Sequence, residues 1–205
     1  MASNQYENII LDNLSQAFQR SLSELEESVP AESSSEGLCF KAFGEDCRLS
    51  PDNIMLSDQP ETGPKGLIIS LYAKHITPDP IQIHPLKAYK DLPGSMPYHG
   101  AYRAHSEMIL VPRVKKVHDS EEKIIQALEG KKDEELQTGD FSFIVFPLPK
   151  IALGYIFYLP DDEFPASVTC LISASANSFM PLDGLADVAE YCSKKIIQIS
   201  SGTYG

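Results

Sequence analysis

FSFIVFPLPKIALGYIFYLPDDEFPASVTCLIS, residues 141–173, decides the fold. Phe141–Phe146, Ile151–Leu159 and Ala166–Ser173 are dense in β-branched and aromatic residues and read as strands. Pro147-Leu-Pro-Lys150 and Pro160-Asp-Asp-Glu-Phe-Pro165 separate them. A parallel crossover needs about a dozen residues or more, so connections this short predict an antiparallel three-strand meander. Downstream, Pro181 starts a last helix whose Leu182, Leu185, Ala189, Cys192 and Ile196 form a buried stripe. The tail from Ser200 is polar and expected to fray.

Upstream the pattern is mixed. Tyr6, Ile9, Ile10, Leu14, Ala17, Phe18, Leu22 and Leu25 keep helical spacing, which predicts one N-terminal helix within residues 1–28, capped by Ser3 or Asn4. Glu24, Glu26 and Glu27 lie at its unfavourable end, so the last turn is expected to fray. Residues 30–37 read as a polar linker. Residues 38–56 read as short strands with turns at Gly44-Glu45 and Ser50-Pro51-Asp52. In 65–75, Leu67, Ile68, Leu71 and Tyr72 share a helical face, but Ile69 leaves a buried strand open. Residues 80–92, broken by Pro85, suggest an exposed edge strand, with a turn at Pro93-Gly94. Pro97 opens a helix that Pro112 stops. Asp119 and Glu122 have capping-box spacing for another helix, with Gly130 at its end. The expected fold is α+β: an antiparallel sheet with a C-terminal three-strand meander, flanked by about five helices, in a single domain spanning 1–205.

Composition narrows the function classes. The 205-residue chain is 42% hydrophobic and carries a formal charge of −12. Nucleic acids and anionic membranes are held by Lys and Arg, so neither is expected as a partner. No basic stretch followed by an apolar one marks a secretory leader, and no apolar run approaches the roughly 20 residues of a membrane helix. Cys39, Cys47, Cys170 and Cys192 include no C-x-x-C pair and read as reduced thiols of a cytoplasmic protein. No metal site is expected, and no cofactor is indicated.

Two constellations carry candidate chemistry. On the Pro97 helix, His99 and Arg103 share a face, with Tyr98, Tyr102 and His105 as neighbours and Glu107 in pairing distance of Arg103. A guanidinium fork beside an imidazole suits a small anionic ligand. His99 and His105 are six apart and on different faces, which argues against zinc. The second constellation is Asp161-Asp162-Glu163, where acids crowd one turn, with Asp162 and Glu163 as ligand-binding candidates. The plain alternative is a solvated turn with Phe164-Pro165 folded onto the core. Ser173–Ser178 has the small hydroxyl residues of a ligand cradle but no glycine-rich loop, and reads more simply as a polar connector.

Phe146-Pro-Leu-Pro, Tyr158-Leu-Pro-Asp-Asp-Glu-Phe-Pro-Ala-Ser-Val, Ala174-Ser-Ala and Met180-Pro-Leu-Asp-Gly-Leu together resemble the domain-of-unknown-function family numbered 3786. Leu92-Pro-Gly94 and Tyr102-Arg-Ala104 fit its middle region. The resemblance spans roughly residues 4–198, with Glu163-Phe-Pro165 its most specific block. The family has no assigned activity. The resemblance implies a cytoplasmic protein of anaerobic bacteria and archaea, in redox or corrinoid metabolism, because some members are joined to an iron–sulfur domain. This chain carries no cysteine cluster, so that role would belong to a redox protein partner. The expected function is a non-catalytic ligand- or partner-binding module. The alternatives are a structural or assembly protein forming a homodimer, and an enzyme using Glu163 or His99 as acid or base.

Overall fold

The computed structural model describes residues 3–34 and 37–202, with side chains from Tyr6 onward. Helix α1 (Ser3–Ala17) packs Ile10, Leu14 and Ala17 into the core. The expected capping by Ser3 or Asn4 lies outside the described side chains. The helix does not run on to Leu25 as its spacing predicts. Arg20 turns inward and donates to the carbonyls of Ala17, Ala73 and Ile76, closing the ends of α1 and of α3 (Pro64–His75) together. Such a guanidinium satisfies carbonyls that helix ends leave unpaired. A new helix, α2 (Leu22–Ser28), then starts at Ser21. Ser21 Oγ accepts from Glu24 N at 3.3 Å and Glu24 Oε2 accepts from Ser21 N at 2.9 Å, a reciprocal capping box. Glu24 therefore holds the start of a helix rather than fraying the end of one.

Two antiparallel sheets follow, where one sheet with a meander was expected. The first is a simple up-and-down run of β1 (Glu32–Ser34), β2 (Gly37–Ala42), β3 (Glu45–Leu49), β4 (Ile54–Leu56) and β5 (Gln59–Pro60). Glu32–Ser34, read as part of a linker, pair with Gly37–Cys39. The first turn lies one residue earlier than the expected Gly44-Glu45, since Glu45 already opens β3. Phe43 and Gly44 at φ 53° and 76° join β2 to β3, and Gly44 admits no side chain because a Cβ there would lie 2.1 Å from Ala127 O.

Residues 64–75 are helix, not strand. Ile69 escapes the single face because α3 is covered on two sides, burying Ile68, Ile69, Tyr72 and Ala73. Asn13 Nδ2 donates to Ser70 Oγ at 3.2 Å across the α1–α3 contact.

The second sheet contains the meander of β7 (Phe141–Leu148), β8 (Ile151–Tyr158) and β9 (Ser167–Ile172). It gains a fourth edge strand, β6 (Lys87–Ala88), in the order β6-β9-β8-β7. Only two residues of 80–92 join the ladder, and Tyr89–Asp91 turn at once into a 3-10 turn. Between β6 and β7 run α4 (Met96–Tyr102), a π turn at Arg103–Glu107, α5 (Val114–Asp119) and α6 (Glu121–Ala127). The capping box expected at Asp119 and Glu122 does not form, because Asp119 already belongs to α5 and Ser120 bridges the two helices. The left-handed residue after α6 is Glu129, at φ 52°, rather than Gly130. Gly130 is needed for approach instead: a Cβ there would lie 2.3 Å from Ile144 O. Helix α7 (Leu182–Ser200) buries Leu185, Val188, Ala189, Cys192, Ile196 and Ile199. No helix among the described residues is long and apolar enough to cross a membrane.

Candidate functional site

The helix singled out by its Tyr, His and Arg content has two unlike faces. Tyr102 is buried, stacks on Tyr89 with centroids 4.2 Å apart, and donates its hydroxyl to Cys170 O at 3.0 Å. Burial pushes its phenol well above the ordinary range. At Arg103 the helix loosens by one residue, and Met108 N reaches Arg103 O at 3.0 Å. Side chains hold the wider turn. Ser106 Oγ donates to Tyr102 O at 2.6 Å, and Ser193 Oγ on α7 donates to Ser106 O at 2.8 Å. Tyr155 on β8 meets Ser193 Oγ at 2.8 Å. The inner face is thus a buried polar knot joining the π turn, β8, β9 and α7.

The outer face carries the remaining candidates. Tyr98 and Arg103 are exposed and His99 is half-buried. The expected Arg103–Glu107 ion pair is absent among the described residues. The extra residue in the turn brings Glu107 under β9, where it accepts from Cys170 N at 3.0 Å. Burial pushes the Glu107 carboxyl up, opposed by that N–H and by the nearby charges of Arg103 and His99. His105 pairs instead with Glu190 on α7, Nδ1 to Oε2 at 2.7 Å.

Asp162 and Glu163 are exposed in the turn after β8. Asp161 organises that turn: its Oδ1 accepts from Glu163 N at 2.8 Å and from Phe164 N at 2.7 Å. Those N–H groups draw its carboxyl below the ordinary range. Phe164 does not fold onto the core, being 66% exposed. Ser173 is buried and Ser175 Oγ accepts from Gln82 N at 2.8 Å, so that segment is a structural connector.

Two grooves of similar size open in the described surface, and neither is lined by Tyr98, His99, Tyr102, Arg103, Asp162 or Glu163. The second groove, about 680 Å³, is strongly polar and includes His118, Lys132 and Asp133. Three of its four acids, Asp133, Glu121 and Asp140, are engaged within the fold. Asp133 meets Lys131 Nζ at 2.9 Å and His84 Nε2 at 3.2 Å, Glu121 meets Lys132 Nζ at 3.2 Å, and Asp140 accepts from Leu159 N at 2.6 Å.

The first groove, about 690 Å³, lies over the first sheet. Strand alternation builds it. Leu38, Phe40 and Ala42 on β2, Cys47 and Leu49 on β3, and Ile54 and Leu56 on β4 turn inward. The other parity of the same strands aligns Cys39 opposite Arg48, Lys41 opposite Asp46, and Arg48 opposite Met55. Glu32 and Ser34 of β1 and Asp58 line it too, and Glu129, Phe146 and Pro149 add a wall from outside the first sheet. Phe43 N donates to Pro147 O at 2.7 Å, which ties these residues to the sheet, and Phe146 N donates to Leu128 O at 3.0 Å, which ties them to each other. On the sheet, Lys41 Nζ lies 2.8 Å from Asp46 Oδ1, and an Arg48 guanidinium nitrogen lies 3.3 Å from Asp58 Oδ1. Cys39 is half-buried here, while the other cysteines are buried. Burial pushes the Cys47 and Cys192 thiols up to about 12 and Cys170 higher still.

Residues 38–56 read as short strands in the sequence, with no residue among them singled out for a site. The wall comes from residues about a hundred positions away. No group of three or more His, Cys, Asp or Glu among the described residues is arranged to hold a metal ion. No curated protein and no solved structure matches the chain. One family profile does, from Ser21 to Lys195, taking in both sheets, the π turn and the Glu163-Phe-Pro165 block. The chain belongs to the domain of unknown function family DUF3786.

Proposed function

We propose that this domain is a non-catalytic binding module whose small-molecule ligand occupies the groove over the first sheet. The observation that carries the reading is the groove itself. Its volume of about 690 Å³ falls in the usual range for ligand sites, and it combines apolar walls at Met55, Phe146 and Pro149 with charged groups at fixed register. The His99–Arg103 face supports the reading less well as a site for a small anion. Both charges already bear on the half-buried Glu107 carboxyl, and an incoming anion would compete with it. Family membership extends the proposal to a setting: a cytoplasmic module of anaerobic bacteria or archaea, handing a ligand or docking a redox partner in redox or corrinoid metabolism.

Cys39 provides the test. A small-molecule screen by thermal shift is followed by alkylation of the folded protein with iodoacetamide. A ligand in the groove slows Cys39 alkylation, and Met55→Trp, which fills the groove, weakens that ligand without unfolding the chain. A ligand indifferent to both changes but lost in Arg103→Ala moves the site to the helix and refutes the groove.

A further inference from the structure

We infer that the groove takes an organic cation, an amine carried on an apolar body; the inference rests on the groove being the ligand site. Among the described residues lining it, the acids Glu32, Asp46, Asp58 and Glu129 outnumber the bases Lys41 and Arg48. Each base already meets an acid on the sheet, Lys41 with Asp46 and Arg48 with Asp58. Glu32 and Glu129 are exposed and make no ion pair with a described residue. The groove therefore carries a negative excess, at β1 and just past the end of α6.

Glu129 shares the groove with an aromatic ring. Phe146 N donates to Leu128 O, which brings the backbone ahead of Glu129 to Phe146, and both residues line the groove. A carboxylate and an aromatic ring lining one groove suit an ammonium group, one by charge-assisted hydrogen bonding and the other through the ring quadrupole. Met55 and Pro149 offer the apolar body a surface. The formal charge of −12 on the whole chain draws cations toward the site and repels anions. An anion entering the groove would have to displace Asp46 or Asp58 and face Glu32 and Glu129 as well.

Tryptamine and indoleacetate share an aromatic body and differ in the sign of the charge, so they separate the two statements. Binding is followed by calorimetry and by protection of Cys39 from iodoacetamide. Tryptamine is expected to bind saturably and protect Cys39, and Glu129→Gln to weaken it about tenfold, the usual effect of losing one charge-assisted contact. Glu32→Gln should weaken it in the same direction, and both variants should keep the wild-type melting temperature. Protection by indoleacetate but not tryptamine would leave the groove as the site and overturn the cation. Tryptamine binding unchanged in the Glu32→Gln, Glu129→Gln double variant would also overturn it. If neither compound binds or protects Cys39, the cation inference falls; the groove itself falls only if the ligand found by screening also ignores Cys39 and Met55→Trp.

Discussion

The two sheets solve opposite problems with the same local geometry. β2 and β3 alternate between core and surface, whereas β8 is buried along all but its last residue. The second sheet is covered on both faces. On one lie α7 and the main core. On the other, Leu136, Ile144, Ala152 and Ile156 form a small cluster with Ile81, Ile83 and Leu86. A sheet closed on both faces carries stability, and a sheet with one polar face left open has residues to spare for recognition.

That contrast predicts the largest difference between single substitutions. Phe157 is buried, stacked on Phe141 at 4.5 Å and close to Phe143 and Tyr155. Phe157→Ala is expected to cost about 3–5 kcal/mol, the range for emptying a packed aromatic site. Met55→Ala, on the open face of the first sheet, should cost about 1 kcal/mol or less. Urea unfolding of the two variants measures both. Equal losses would mean that the first sheet is as tightly covered as the second.

The next effect tests how the sheets are joined. Glu45, at the start of β3, accepts from Lys65 Nζ on α3 at 2.8 Å and from Lys195 Nζ on α7 at 2.9 Å. Burial raises its carboxyl, but the two ammonium groups outweigh burial and leave it below the ordinary value. Glu45→Ala should cost about 3 kcal/mol, as breaking a largely buried ionic contact does. A lowered carboxyl contributes its full stability above the ordinary carboxylate pKa and loses it as pH falls through the folded value. Glu45→Gln should therefore lose stability at neutral pH and flatten the acid limb of the stability curve. A parallel curve, merely displaced, would show that the lysines do not hold the carboxylate.

Glu107 has the reverse sign. Its carboxyl is raised, so between the ordinary and the folded values the native chain holds a proton that the unfolded chain has released. Stability falls as pH rises through that window and stays lowered above it. Glu107→Gln keeps an oxygen for Cys170 N–H and buries no charge. It is expected to stabilise by about 1 kcal/mol at neutral pH and to make no difference in acid. A destabilising Glu107→Gln at neutral pH would show that the charge itself, facing Arg103 and His99, is what the π turn requires.

Legibility followed the same division. The meander was plain because proline-bounded apolar runs admit few other readings, and α7 because its stripe is long. The α1–α2 break was invisible, since it depends on Arg20 reaching Ala73 and Ile76, contacts fixed only after α3 has docked. The π turn was invisible because its support comes from Ser193, far along the chain. For the candidate residues, composition pointed to the right helix but could not divide it. Tyr102 went to the core and Tyr98 to the surface, a distinction set by Tyr89 and Cys170. The groove was missed because part of its lining, Glu129, Phe146 and Pro149, meets the sheet through a contact between distant stretches, Phe43 N to Pro147 O.

The smallest expected effect lies at the turn that closes β8, outside both sheets. Asp161, Asp162 and Glu163 look equivalent in sequence, yet only the Asp161 side chain accepts backbone hydrogen bonds, from Glu163 N and Phe164 N. Phe164 and Glu163 N–H groups lower its carboxyl, so its contribution is present above the ordinary pKa of an aspartate and disappears as pH falls through the folded value. Asp161→Ala should give a small loss of melting temperature at neutral pH that vanishes in strong acid, and faster amide exchange at Glu163 and Phe164. Asp161→Asn should keep part of the turn, because its side-chain oxygen still accepts. Glu163→Ala should change neither quantity, since its side chain is exposed and takes no part in the turn. A Glu163→Ala variant that loses stability as Asp161→Ala does would place a contact on Glu163 that the turn's own hydrogen bonds do not supply, and would return it to the candidate residues with a physical reason.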